Sequence, residues 1–147
     1  IRINRKNKKT FVISVTNVTL RWKPDAITVV GITRNASAAA NQLDTPRHFI
    51  VDDLYNIYIA DSRNHRIQKY IRGATNGTTI AGLSNGTWSP SIYGLSYPGH
   101  ILLDSDQNLY ITDTGMNRIK FWKKDASFGQ VIIVEVISQG YLFISRT

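Results

Sequence analysis

Apolar residues in this chain come in short runs that alternate with polar ones, separated by turn-forming residues, rather than recurring at helical spacing. Thr10 to Thr16 is β-branched and apolar and reads as a strand. Val18 to Trp22 alternates and reads as a second. Pro24-Asp25 turns the chain, and Ile27 to Gly31 reads as a third. Thr33 to Thr45 is rich in Ala, Asn and Ser and reads as a loop, with at most one helical turn in its Ala-rich run. The next strands are predicted at His48 to Val51, Asn56 to Ala60, Arg66 to Ile71 and Gly77 to Ala81. Turns are predicted at Asp53 to Asn56, Asp61 to His65 and Gly73 to Asn76. In the second of these strands Ile57 and Ile59 share one face and Tyr58 takes the other. Leu83 to Tyr97 is a long connector. Strands then recur at His100 to Leu103, Asn108 to Thr112, Arg118 to Trp122 and Gly129 to Val136.

The second set copies the first at an offset of 52 residues. The offset holds without a gap at Pro46/Pro98, His48/His100, Asp52/Asp104, Asn56/Asn108, Tyr58/Tyr110, Asp61/Asp113, Arg66/Arg118 and Ile67/Ile119. From Pro46 to Gly82 against Pro98 to Val134, 12 of 37 positions are identical. Chance would give roughly two or three, so the chain contains an internal repeat, and a period of this size points to a propeller or another repeat array. Each repeat is four short strands followed by a connector, which is the plan of a β-propeller blade. The expected fold is therefore all-β, built from propeller blades of four antiparallel strands. Trp22, Tyr70 and Trp122 hold equivalent points near the end of a third strand, so residues 10–45 read as a degenerate first blade. That makes about three blades: 10–45, 46–97 and 98–137, between a basic tail at 1–9 and an unassigned tail at 138–147.

The stretches Pro46…Asp52, Asn56-Ile-Tyr-Ile-Ala-Asp61 and Asn64-His-Arg-Ile67, with Pro98…Asp104, Asn108-Leu-Tyr-Ile-Thr-Asp113 and Asn117-Arg-Ile119, resemble the NHL repeat. The resemblance covers residues 46–134 well and 10–45 weakly. It implies blades like those of six-bladed β-propellers and a binding scaffold for protein or glycan partners. Three blades do not close a ring, so further blades or self-association are expected to complete it. Two other activities are implied by similar propellers. One is single-stranded RNA binding on a positive face. The other is a metalloenzyme resembling the peptidylglycine amidating lyases, which hold zinc with channel histidines.

The repeated residues themselves read as scaffold. Asp52 and Asp104 sit where a carboxylate can accept turn N–H groups. Asp61/Arg66 and Asp113/Arg118 flank a turn and are expected to pair across it, fixing its geometry more than adding stability. The candidate binding residues are those that depart from the family pattern or vary between repeats: Arg47, His48, Arg63, His65 and His100. His48 and His100 stand where small residues are usual, at the start of the innermost strands. They are expected to approach a common channel, yet they lie one position away from the zinc-binding histidines of the lyases. On a strand a shift of one position points the side chain to the other face, so neither a metal nor another cofactor is expected. Arg47, Arg63 and His65 are the residues available for RNA, and Gly99, Gly115 and Met116 do not repeat them.

Composition adds limits. The net charge is +8, but Arg2, Arg5, Lys6, Lys8 and Lys9 supply five of the positive charges, leaving 13 basic against 10 acidic residues elsewhere. The repeats are thus only mildly basic, and the terminal run reads as a solvated tail. No cysteine is present, which removes disulfides and thiol chemistry. The most apolar stretch, Val131 to Ile144, is interrupted by Glu135 and Gln139-Gly140, so no membrane span is expected. No Gly-x-Ser-x-Gly, dinucleotide-binding or P-loop pattern occurs. The chain opens on Ile without an apolar leader, so a piece of a longer protein is expected. Four Asn-x-Ser/Thr sequons, at Asn17, Asn35, Asn76 and Asn85, favour an extracellular or cell-surface location, with the cytoplasm as the alternative.

Overall fold

The computed structural model describes residues 28–32, 34–137 and 141–145. Among them the chain is all-β: nine strands, two 3₁₀ turns and no α-helix. The first sheet is a meander of β1 (Pro46–Val51), β2 (Ile57–Asp61), β3 (Arg66–Tyr70) and β4 (Thr78–Gly82). The second repeats it with β5 (Pro98–Leu103), β6 (Leu109–Asp113), β7 (Arg118–Trp122) and β8 (Gln130–Ile137). All pairings are antiparallel. Residues 141–145, which match nothing in the repeat pattern, form β9 (Tyr141–Ser145) and pair with the part of β8 that extends past β7.

The predicted strands at 10–16 and 18–22 lie outside the described residues, as does most of the degenerate first blade. The strand predicted at Ile27 to Gly31 is not formed by its described residues, 28–31, which run irregularly. Gly31 there has φ of +82°, a left-handed conformation that breaks a strand. The segment Thr33 to Thr45 is loop where described, with turns in place of a helix.

Local chemistry explains why the meanders form. Asp52 Oδ1 accepts the N–H of Leu54 and of Asn56, both at 2.9 Å, and Oδ2 accepts from the Asn56 amide at 2.8 Å. Asp104 repeats the arrangement with Asp106, Asn108 and the Asn108 amide. Burial pushes the Asp52 carboxyl up, but these donors outweigh it and hold it below its ordinary 3.8. The turns place Tyr55 and Gln107 in the same left-handed conformation, at φ of 64° and 65°. Between the middle strands, 3₁₀ turns span Ser62–Asn64 and Thr114–Met116, ended by left-handed His65 and Asn117. Gly77 and Gly129 recur for a packing reason. A Cβ there would fall inside the ring of Tyr70 or Trp122, the aromatic that closes each sheet's core.

The two sheets pack face to face. Alternation sends Ile50, Tyr58, Ala60, Ile67 and Ala81 of the first sheet against Ile101, Leu103, Leu109, Ile111 and Trp122 of the second, with Leu95 of the connector between. The inner strands β1 and β2 lie against β5.

A leading loop wraps the outer strands of each sheet, and here the repeat extends beyond its sequence identity. In the first sheet Asp61, fully buried, pairs with Arg66 Nε at 2.8 Å and accepts the N–H of Asp44 at 2.7 Å. The Arg66 guanidinium donates to the carbonyls of Ala38, Ala39, Gln42 and Ser84. In the second sheet Asp113 pairs with Arg118 Nε at 2.7 Å and accepts the N–H of Ser96. Arg118 Nη1 donates to Pro90 O, which lies 52 residues from Ala38. The carbonyls of Ser91 and Gly94, counterparts of Ala39 and Gln42, go instead to Lys120 Nζ, at 3.0 and 2.9 Å, with Ile92 O at 2.8 Å. Backbone bonds match as well: Gly77 N to Ala40 O, and Gly129 N to Ile92 O. Residues 37–45 therefore serve the first sheet as residues 89–97 serve the second.

Lys120 is fully buried and lies over the Trp122 ring. Burial, reinforced by the charge of Arg118 and opposed by Asp113, lowers its pKa to about 8. At neutral pH it is still an ammonium, with three N–H donors for three carbonyls. Its presence leaves Arg118 Nη2 without a partner.

Burial likewise pushes the Asp61 carboxyl above its ordinary 3.8, against the Asp44 N–H, Asn64 and Arg66. The ion pair thus does not fully offset its own desolvation, and its role is to fix the loop and turn. Removing one partner is another matter. Arg66→Met leaves a buried carboxylate and several loop carbonyls unpaired, and is expected to cost about 3–5 kcal/mol. Arg118→Met is expected to cost clearly less, because Lys120 still holds that loop. Urea denaturation compares them; equal losses would contradict the division of labour between Arg118 and Lys120.

Candidate functional site

The starts of β1 and β5 and both 3₁₀ turns share one end of the sheet pair, because Pro46 pairs with Asp61 and Pro98 with Asp113. The five sequence-predicted binding residues all lie at this end. Arg47 and Arg63 are exposed, His48 is half-buried, His100 is exposed and His65 is buried.

His48 and His100 meet. Their ring centroids are 4.9 Å apart and tilted by 41°. Both inner strands are irregular here, between Pro46 and His48 and between Pro98 and Ile101. The two histidines thus approach one another as their places at the starts of the inner strands imply, and in the first sheet His48 follows the irregularity and pairs regularly with Ala60. In the second sheet the Thr112 hydroxyl accepts the His100 N–H at 2.7 Å and braces the irregularity. Gly99 is required beside it, since a Cβ would meet the Thr112 and Thr114 hydroxyls. His48 Nδ1 accepts the Ile101 N–H at 3.5 Å, so the histidine ties the first sheet to the second.

A zinc centre needs at least three protein ligands. No group of three or more His, Cys, Asp or Glu side chains able to hold a metal occurs among the described residues. The two imidazoles alone do not fit the zinc of a lyase-like enzyme.

His65 is the second tie between sheets. Its left-handed backbone ends the 3₁₀ turn, and its Nδ1 accepts the Tyr97 N–H at 3.1 Å. The Tyr97 ring meets it edge-on at 4.5 Å. The position repeats as Asn117, which is also tolerated in this conformation. His65 thus has a framework role beside any contact it makes with a ligand.

Of the sequons, Asn35, Asn76 and Asn85 are exposed, and Asn17 lies outside the described residues. Asn85 Oδ1 accepts the Thr87 N–H at 3.1 Å and the Thr87 hydroxyl at 2.7 Å.

The structure adds features that sequence reasoning missed. Tyr97 stands exposed beside His65, and the connector before it carries the exposed Trp88, Ile92 and Tyr93. At the opposite end a groove of about 380 Å³ lies between the β1–β2 and β5–β6 turns. Val51, Leu54 and Leu102 line it with Asp53, Asp104 and Gln107. Exposed apolar residues in a connector and paired turns at one strand end were both visible in the sequence, but nothing there placed them together.

No protein-family model matches the chain, and no curated protein matches it. Among the described residues, no helix is long and apolar enough to cross a membrane.

The His65 tie predicts a pH dependence. Burial lowers the His65 pKa from its ordinary 6.5, with Asp113 and Asp61 opposing. A folded-state value below the unfolded one means that the contribution is complete above pH 6.5. It is lost as pH falls through the folded value, when Nδ1 takes a proton and can no longer accept the Tyr97 N–H. Thermal unfolding of wild type and His65→Asn from pH 8 to 5 is expected to show the steeper acid loss in wild type. Parallel curves would remove the tie.

Proposed function

We propose that the chain is a set of NHL-type propeller blades acting as a binding scaffold, which engages a protein or glycan at the end carrying Arg47, Arg63 and Tyr97. The supporting observation is a separation of roles. The repeated polar residues are consumed internally: Asp52 by its turn, Asp61 by Arg66, and Arg66 by loop carbonyls. The exposed groups at the shared strand end are those that the repeat does not copy: Arg47 against Gly99, Arg63 against Gly115, and Tyr97 against Thr45. Non-repeated side chains on a rigid scaffold suit recognition of an irregular ligand. Aromatic and arginine side chains are the usual anchors of such surfaces.

The two four-stranded meanders stacked face to face support the propeller reading, in which further blades or another copy complete the ring. The exposed sequons Asn35, Asn76 and Asn85 support a secreted or cell-surface protein. Two arginines without repeated partners give little support to RNA binding, which favours an extended positive groove with stacking platforms.

Two measurements test this. Binding to an array of glycans and extracellular protein domains is expected, with an Arg47→Ala/Arg63→Ala variant weakened by about tenfold at unchanged stability. Tight binding to a random single-stranded RNA pool, falling steeply with salt, would replace this reading with the RNA one. Mass spectrometry of the native protein is expected to find glycans on Asn35, Asn76 or Asn85; an unmodified protein from a secreting host would count against the extracellular placement.

A further inference from the structure

We infer that the outward face of the second sheet docks onto the outward face of the first sheet of another copy of this chain, head to tail. This deepens the blade reading above and rests on it.

Within one chain the sheets meet through unlike faces. The first presents Ile50, Tyr58, Ala60 and Ile67, and the second presents Ile101, Leu103, Leu109 and Ile111. The 52-residue offset puts the same two faces at the two ends of the described stack, where no further described sheet lies against their inner strands. Ile101 is fully buried, but its counterpart Phe49 is 66% exposed. Leu103 packs on the core, but its counterpart Val51 is 51% exposed. Ile50 packs on the core, but its counterpart Leu102 is 68% exposed. Ile67 is fully buried, whereas its counterpart Ile119 is only half-buried. The residues at the ends are as apolar as those in the middle. On the inner strands their exposure differs because the middle faces have each other, whereas further out Ile59 and Tyr70, the counterparts of Ile111 and Trp122, are buried as those are.

The polar ties carry over in the same register. His48 gives its Nδ1 to the Ile101 N–H across the interface. The repeat of that acceptor is His100, exposed on the second sheet, and the repeat of that donor is the Phe49 N–H on the first. His65 accepts the Tyr97 N–H. Its repeat, Asn117, carries an amide oxygen able to accept from Thr45, the repeat of Tyr97. One chain therefore holds both halves of the joint that it already makes internally. Because the joint is heterologous, two joined copies keep one such face each, so a ring or a growing stack results.

The test uses one variant on each face. Leu102→Asp places a charge in the second-sheet face, and Phe49→Asp in the first-sheet face; both sites are exposed, so folding is retained and circular dichroism checks it. Sedimentation equilibrium of the 147-residue chain is expected to show concentration-dependent association. Each variant alone is expected to associate at least about tenfold more weakly, since the joint would bury an unpaired charge. A mixture of the two variants is expected to form a one-to-one heterodimer and nothing larger, because each supplies the face the other lacks. A wild-type chain monomeric at all concentrations overturns the inference, as does a mixture that stays monomeric. Association that survives in both single variants overturns it too, since another surface would then be responsible. Failure here leaves the ligand site separately testable: the monomeric Leu102→Asp chain is still expected to bind the partner engaged through Arg47 and Arg63. Loss of that binding in the Arg47→Ala/Arg63→Ala chain with association intact would separate the two.

Discussion

The architecture depends on one buried charge in each sheet. Asp61 and Asp113 sit where β2 and β6 end, with no exposure to solvent. A carboxylate in that position must be matched on several sides at once. In the first sheet Arg66 Nε, the Asn64 amide and the Asp44 N–H do so. Satisfying the acid fixes the arginine. The fixed guanidinium then gathers the carbonyls of the leading loop. The loop in turn covers Tyr70, whose hydroxyl donates to Ala40 O at 3.1 Å. A demand that begins with one side chain thus orders a loop more than fifteen residues upstream. Irregular backbone can be buried in this way because its carbonyls have a cation to point at.

The second sheet meets the same demand with different parts. Gln68 of the first sheet, which accepts the Thr79 hydroxyl, is replaced at the matching position by Lys120. The ammonium takes carbonyls that the arginine holds in the first sheet, and a guanidinium nitrogen is left over. What is kept between repeats is the set of oxygens to be satisfied, not the residue that satisfies them. This explains why sequence identity fades upstream of Pro46 and Pro98 while the hydrogen-bond pattern continues.

Much of this was legible in the sequence, for physical reasons that differ by residue. Strand positions followed from alternation and turn chemistry, and β7 begins and ends where predicted, at Arg118 and Trp122. The Asp61–Arg66 and Asp113–Arg118 pairs were readable because both partners flank one short turn. Lys120 was not, since its acceptors are backbone carbonyls of a loop whose sequence, from Ser89 to Ser96, carries no signature. The burial of His65 was hidden for a related reason. A polar residue in a turn reads as exposed, and only the position of Tyr97 shows that the next sheet covers it. Pattern reasoning also misjudged the run before Gly31, where a left-handed glycine outweighs the β-branched residues around it.

The approach of His48 and His100 was legible from their matched places at the starts of the inner strands; what alternation alone does not give is the irregular pairing beside them. Alternation holds only while each residue on one strand faces one residue on its neighbour. Both inner strands break that rule at their first residues, where the repeat has Pro followed by a variable residue. Proline cannot donate to a ladder, so pairing at the strand start is already weakened and an extra residue is tolerated there. Because Asp104 N–H bonds Asn108 O, the alternating ladder turns the Ile101 N–H away from β6, and at this sheet edge His48 meets it. The histidine thereby has a framework role. Its ring meets that of His100, and its nitrogen answers a donor on the open edge of β5. A small side chain at this position would do neither, so His48 marks how the sheets are joined before it marks what they bind.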